Sequence, residues 1–209
     1  MTSNQIKVLI GLVVVIWAVT LLVQGHPVPL DYIKAFSYAV TGVSFALVLW
    51  NRWLWSWRVF RPWLTTRPDL RGTWKGNLVS NWVDPITRQG RGEIEAYLVI
   101  RQTFSTVDAR LHTAESFSVS LSADIVADGE GIHTLAVVYQ NTPRALLRER
   151  SPIGHGGMLL YVRGIPVHQL DGEYWTDRGT KGELTLALRS GDLIHDFAQA
   201  QNANYKTSK

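Results

Sequence analysis

The sequence predicts a two-helix transmembrane hairpin followed by an all-β domain, a small eight-stranded antiparallel up-and-down β-barrel. Three observations carry this reading. Two uncharged apolar runs fill most of the first 57 positions. From residue 70 onward the apolar period changes from helical to alternating. About eight alternating segments then follow one another, separated by short turns rich in Gly, Asp and Pro, with no helix of note between them.

The first run, residues 8–23, reads VLIGLVVVIWAVTLLV; alone it is slightly short, as the second is, and with Ile6 it is about long enough to cross a hydrocarbon core. The second, residues 35–50, reads AFSYAVTGVSFALVLW. Between them Gly25, Pro27 and Pro29 turn the chain. Two such runs joined by a polar turn fit a bilayer better than a buried core, so helices are expected at about 6–24 and 33–57, within a hairpin of residues 1–57. A cleavable signal peptide is disfavoured, because the first run lacks a basic leader and a small-x-small site after Val23. Trp17, Trp50, Trp53, Trp55, Trp57 and Trp63 lie in or beside the runs, as interfacial rings do. Arg52, Arg58, Arg61, Arg67, Arg71 and Lys75 follow the second run, against only Lys34 in the turn. Positive flanks stay inside, which places both termini in the cytoplasm of a multi-pass membrane protein. Residues 58–69 read as a juxtamembrane linker, with Pro62 and Pro68 ending any helical extension.

Ala35, Ala39, Gly42 and Ala46 form a small-residue stripe, and Gly11 and Ala18 stand seven apart on the first helix. Small residues let helix backbones approach closely in lipid. The stripe serves either packing within the chain or contact with neighbouring chains.

Residues 70–190 form the ligand-sensing domain. Strands are expected at 73–80, 93–103, 106–112, 116–125, 133–140, 157–163, 169–177 and 183–189. The cleanest alternation sets Phe117, Val119, Leu121, Ala123 and Ile125 against Ser116, Ser118, Ser120, Ser122 and Asp124. Alternation does not fix which face lines the interior. Eight antiparallel strands in this length close into a barrel with no exposed edge, able to hold one small ligand; a sandwich is the alternative. Gly72-x-Trp74 at the first strand resembles the start of lipocalin-like barrels, where the Trp closes one end of the core. In the tail, 191–209, a short helix is expected with Asp192 as N-cap and Leu193, Phe197 and Ala200 on one face. The last residues read as disordered.

A net charge of +4 is too small for a nucleic-acid coat, so no DNA or RNA polymer is expected as partner. The chain has no cysteine, which excludes disulfides, thiolate metal sites and cysteine nucleophiles. No phosphate-binding glycine loop or nucleophile elbow is present, and no two histidines stand at zinc spacing. No enzyme activity, metal or cofactor is therefore expected, and Gly154-His155-Gly156-Gly157 reads as a turn entering a strand. Binding is better supported. Tyr139-Gln140-Asn141-Thr142-Pro143 places a ring and an amide at a strand end. Tyr174-Trp175-Thr176-Asp177-Arg178-Gly179-Thr180 gathers two aromatics, two hydroxyls and a guanidinium. Such groups suit a planar anionic ligand: rings stack on bases, Arg forks onto phosphate, amides read base edges. As plain structure the same segments are a turn and a strand with ordinary cross-strand pairs.

Taken in order, Leu70-Arg71-Gly72-Thr73-Trp74, Tyr139-x-Asn141-x-Pro143, His155-Gly156-Gly157 and Leu170-x-Gly172-x-Tyr174-Trp175-Thr176-x-Arg178-x-Thr180-x-Gly182 carry a resemblance. With the helix pair, they make the chain resemble, over nearly its whole length, the two-transmembrane, β-strand-rich effectors of bacterial cyclic-oligonucleotide antiphage signalling (CBASS). The resemblance implies a cyclic dinucleotide ligand made by a partner cyclic-oligonucleotide synthase after phage infection. It further implies homo-oligomerisation and disruption of the bacterial inner membrane, ending in abortive infection. It suggests Tyr139, Asn141, His155, Tyr174, Thr176 and Arg178 as ligand contacts. The alternative is a membrane-tethered lipid- or hydrophobe-binding barrel without signalling role, which requires an apolar lumen.

Overall fold

The computed structural model describes residues 3–24, 29–60, 63–84 and 87–207. Contacts divide the chain into two units, Met1–Thr66 and Arg67–Lys209.

The first unit has helices α1 (Ser3–Gln24) and α2 (Pro29–Arg52). The second helix starts earlier than the expected residue 33, because the fixed φ of Pro29 suits a first helical turn. Gly25 and Pro27 of the expected turn, and Pro62 of the linker, lie outside the described residues. The expected continuation to residue 57 is corrected. The helix stops at Arg52 and tightens into 3₁₀ turns at Leu54–Ser56 and Arg58–Phe60. Ser56 competes for the helix-end carbonyls: its Oγ donates to the Trp53 carbonyl at 2.9 Å, and its N–H donates to the same oxygen at 3.3 Å. Period-two aromatics then replace the helical period: Trp55 is fully buried while Trp53 and Trp57 are exposed.

A Cβ added to Gly42 would lie 3.1 Å from the Ile16 side chain, so this position of the small-residue stripe packs against α1 of the same chain. Elsewhere Ile10, Val15 and Trp17 of α1 and Tyr38, Phe45 and Val48 of α2 are exposed. Among the described residues no helix is long and apolar enough to cross a membrane.

The second unit is a closed antiparallel barrel. Its strands are β1 (Gly72–Ser80), β2 (Ile94–Gln102), β3 (Val107–His112), β4 (Ser116–Ala127), β5 (His133–Pro143), β6 (Gly154–Arg163), β7 (Gln169–Thr176) and β8 (Lys181–Ser190). Each pairs with the next, and β1 pairs with β8, so the sheet closes as an up-and-down barrel and not a sandwich. In this topology the turns 81–93, 113–115, 144–153 and 177–180 share one end. The turns 103–106, 128–132 and 164–168 share the other.

That second end is the closed base. Trp74 is fully buried there, its Nε1 donating to the Leu70 carbonyl at 2.9 Å, with the Arg189 guanidinium 5.0 Å from its ring centre. Gln102, also buried, accepts from the Leu70 N–H and donates to the Pro68 carbonyl, both at 2.8 Å. Asp69 takes a bidentate grip from Arg71 at 2.9 and 2.7 Å and a third contact from Arg189 at 3.4 Å. Burial alone would raise the Asp69 pKa, but the hydrogen bonds and charges of the two arginines outweigh it and hold the carboxyl below its ordinary value.

Strand β4 does not keep one face inward. Ser118 is buried, whereas Phe117 and Leu121 are exposed; further along Ile125 is buried and Ala123 packs on the core. A register shift against β5 between Ser120 and Ser122 leaves Leu121 as the extra residue of a bulge, which inverts the parity. Ser120 Oγ accepts from the Ala109 N–H at 3.0 Å where the β3–β4 ladder ends.

Three further expectations differ from the structure. Gly154-His155-Gly156-Gly157 is strand from its first residue, so β6 is not entered by a turn there. The tail helix α3 (Phe197–Gln201) is capped by Asp196, not Asp192: the Asp196 side chain accepts from the Gln199 N–H at 2.8 Å. Asp192 is held away, its carbonyl accepting from Thr73 Oγ1 at 2.7 Å. The tail, expected to end disordered, carries β9 (Lys206–Thr207), which adds to β8. Tyr97, pointing out from β2, is covered by Phe197 and Tyr205 at ring separations of 5.4 and 5.9 Å.

Candidate ligand-binding site

At the end opposite Trp74 the interior opens into a cavity of about 830 Å³, within the usual size of small-molecule sites. Residues from β5 and β7 build much of its wall. Inward positions on β5 are Leu135, Val137, Tyr139 and Asn141; on β7 they are Leu170, Tyr174 and Thr176. The first of each series are packed core, the last line the cavity. Apolar base and polar mouth are thus successive stretches of the same strands.

Glycines on neighbouring strands keep the rings flat against the wall. Gly156 stands between Tyr139 and Thr176 in the ladder. A Cβ there would lie 2.6 Å from the Tyr139 hydroxyl oxygen and would also strike the Trp175 carbonyl. Gly182 stands opposite Tyr174, where a Cβ would come within 2.7 Å of the ring. With a side chain at either place, the tyrosine would be pushed into the cavity.

The polar groups are individually positioned. The Tyr139 hydroxyl donates to the Trp175 carbonyl at 3.1 Å. Burial pushes the Tyr139 and Tyr174 phenols above their ordinary pKa, so both remain protonated at neutral pH. Asn141 Oδ1 accepts from Ser118 Oγ at 3.1 Å. Thr176 Oγ1 is buried with no hydrogen-bond partner, a costly arrangement for a hydroxyl unless something else satisfies it. The β7–β8 turn closes through Thr176 N–H to Thr180 O at 2.8 Å, with Gly179 at φ +76°. This places Arg178 at the cavity wall, its Nη1 donating to Ser151 Oγ at 2.8 Å and to the Pro152 carbonyl at 3.2 Å.

Of the six residues singled out from sequence, Tyr139, Asn141, Tyr174, Thr176 and Arg178 line one cavity. His155 does not. Its strand parity points it outward, its N–H donates to Asp177 Oδ2 at 2.7 Å, and its side chain is more than half exposed. Sequence reasoning missed Trp82, Arg91, Glu115, Ser118 and Arg150, which also line the cavity. One signal was present. Once an up-and-down order is assumed, the mouth turns contain Arg88, Arg91, Arg144, Arg148, Arg150 and Arg178, while the three turns at the base contain no Lys or Arg.

A closed barrel whose packed base gives way to an arginine-bearing polar mouth is a small-molecule receptor in architecture. The Cap15 cyclic dinucleotide receptor domain matches residues 65–188, more than half of the chain, and the chain belongs to that family. The CD-NTase-associated protein 15 of Staphylococcus schleiferi is 29% identical over 185 residues, covering 88% of this chain and 95% of that protein. The resemblance to CBASS effectors, read from the motif order, is borne out.

Proposed function

We propose that the protein is a CBASS effector, a receptor and not an enzyme, whose barrel binds a cyclic dinucleotide through Tyr139, Asn141, Tyr174, Thr176 and Arg178. The observation that carries the reading is the convergence of these five residues on one cavity in a chain of the cyclic dinucleotide receptor family. Arg178 supplies a phosphate fork, the tyrosine faces supply stacking, and Thr176 Oγ1 gains the partner it lacks. A lipid-binding lumen is disfavoured because the apolar half of the interior is filled by Trp74, Leu98, Leu160, Leu170 and Leu186, all fully buried.

On this reading the hairpin lies in the bacterial inner membrane with both termini cytoplasmic. Its uncharged runs and the exposed apolar side chains of α1 and α2 support that placement. Ligand binding favours self-association of barrels, and gathered hairpins disrupt the bilayer. A ligand shifts such an equilibrium only through its preference for the assembled state.

The test is the full chain reconstituted in dye-loaded liposomes. A cyclic dinucleotide is expected to bind and release dye. Arg178→Ala is expected to bind at least about tenfold more weakly, the loss of a charge-assisted hydrogen-bonding group, and to release none at the same concentration. Indifference of the folded wild type to all cyclic dinucleotides would sink the receptor reading; binding without dye release, or a chain that fails to insert, would sink the membrane step.

A further inference from the structure

Three separate mouth turns bring their side chains to one point of the cavity wall. Arg91 lies in the β1–β2 turn, Glu115 in the β3–β4 turn, and Arg150 in the β5–β6 turn. Arg91 Nη1 is 2.6 Å from Glu115 Oε2, and Arg150 Nη2 is 3.2 Å from Glu115 Oε1 and 3.4 Å from Oε2. All three residues line the cavity together with Arg178.

Two guanidiniums closing on one carboxylate form an anion seat that is already partly occupied by the protein. A carboxylate and a phosphodiester are both monoanions that offer two oxygens to an arginine fork. One can therefore replace the other without changing the local charge. Exposure determines whether the exchange is easy. The Arg91, Arg150 and Glu115 side chains are 32%, 53% and 43% exposed, the range in which water screens an ion pair and leaves it little net stabilisation. Displaced, Glu115 returns to water at little cost. Glu115 is not the sole support of Arg91, whose guanidinium carbon also sits 4.8 Å from the centre of the Trp82 ring.

Resting on the receptor reading above, we propose that Arg91 and Arg150 form a second phosphate-binding pair of the cavity, and that Glu115 is an internal competitor for it. Arg178, on the β7–β8 turn, takes one phosphodiester of the ligand. The Arg91–Arg150 pair takes the other after displacing Glu115. The carboxylate thereby sets a threshold: a ligand with two phosphodiesters gains enough to displace it, whereas one with a single phosphate is satisfied at Arg178 alone.

The experiment is calorimetry on the full chain in detergent micelles, using cyclic di-AMP, cyclic di-GMP, cyclic di-UMP and cyclic UMP-AMP, with 3′,5′-cyclic GMP as the single-phosphate probe. With the tightest dinucleotide as reference, Glu115→Gln is expected to bind about three- to tenfold more tightly, the loss of two exposed pairs. Arg91→Ala and Arg150→Ala should each bind about tenfold more weakly. Glu115→Gln should add nothing in the Arg91→Ala/Arg150→Ala background, and none of these changes should alter cyclic GMP binding. Glu115→Ala serves as a second variant should the Gln form fold poorly. Unchanged or weaker dinucleotide binding in folded Glu115 variants would overturn the proposal and make Glu115 a strut, while leaving the receptor reading intact. A wild type that binds no dinucleotide would overturn both.

Discussion

Each end of the barrel holds one carboxylate between two arginines, and the two arrangements differ in kind. At the base, Asp69 and Arg189 are about one-fifth exposed, and Arg71, about one-third exposed like Arg91 at the mouth, grips the carboxylate with two nitrogens. There the cluster sits over Trp74 and the first residues of the barrel. At the mouth, Glu115 meets Arg91 and Arg150 in more exposed surroundings, on turns and beside an open cavity. The same ion types therefore act as a fastening at one end and as exchangeable groups at the other. Desolvation and geometry make the difference, not composition. The strands show the same division: β5 carries core at Leu135 and Val137 and cavity wall at Tyr139 and Asn141.

The comparison is sharpest if changes at the base cost stability and changes at the mouth cost binding. Trp74→Ala is expected to have the largest effect, about 3–5 kcal/mol of barrel stability, read from denaturant unfolding of the full chain in micelles. Loss of ligand affinity in that variant without a stability loss would break the division. Asp69→Asn comes next, at about 2 kcal/mol near neutral pH, the scale of hydrogen bonds to a charged group. Its pH dependence has a definite sign. The folded carboxyl titrates below the ordinary value of 3.8. The unfolded chain therefore binds the proton first as pH falls, and the stabilisation is complete above about pH 5 and disappears as pH drops through the folded value. The gap between wild type and Asp69→Asn should be constant from pH 7 to about pH 5 and shrink below about pH 4; a gap that widens in acid would remove Asp69 from the fastening. Ser118→Ala is the smallest of the three. Removing the hydroxyl that orients Asn141 should weaken cyclic dinucleotide binding about two- to fivefold, with unfolding changed by less than about 1 kcal/mol. A larger stability loss would place Ser118 with the base.

Much of the barrel was legible because its signals are local. Each of the eight barrel strands falls on a segment read as a strand, with clear alternation at 93–103 and 116–125, and short turns between them leave antiparallel neighbours as the natural pairing. The errors fell where local signals compete. The alternation in β4 read as a single apolar face, yet the bulge at Leu121 turns Ser118 inward in one half and Ile125 inward in the other. Asp192 and Asp196 are both plausible helix caps, and the hydrogen bond from Thr73 to the Asp192 carbonyl removes the first. The stretch after Arg52 kept its aromatic content but not the helical period that would have continued α2. Among the candidate contacts, strand parity explains why Tyr174 and Thr176 line one cavity while His155 lies outside it.

Residue type and spacing alone were enough for the strand count, the antiparallel class and the kinship. These follow from near neighbours along the chain. Closure of β8 onto β1, the inversion within β4, and the meeting of Arg91, Glu115 and Arg150 from three distant turns came from the folded barrel. Those features depend on which strands lie side by side and on how far each charge is withdrawn from water, and neither quantity is a property of any one segment.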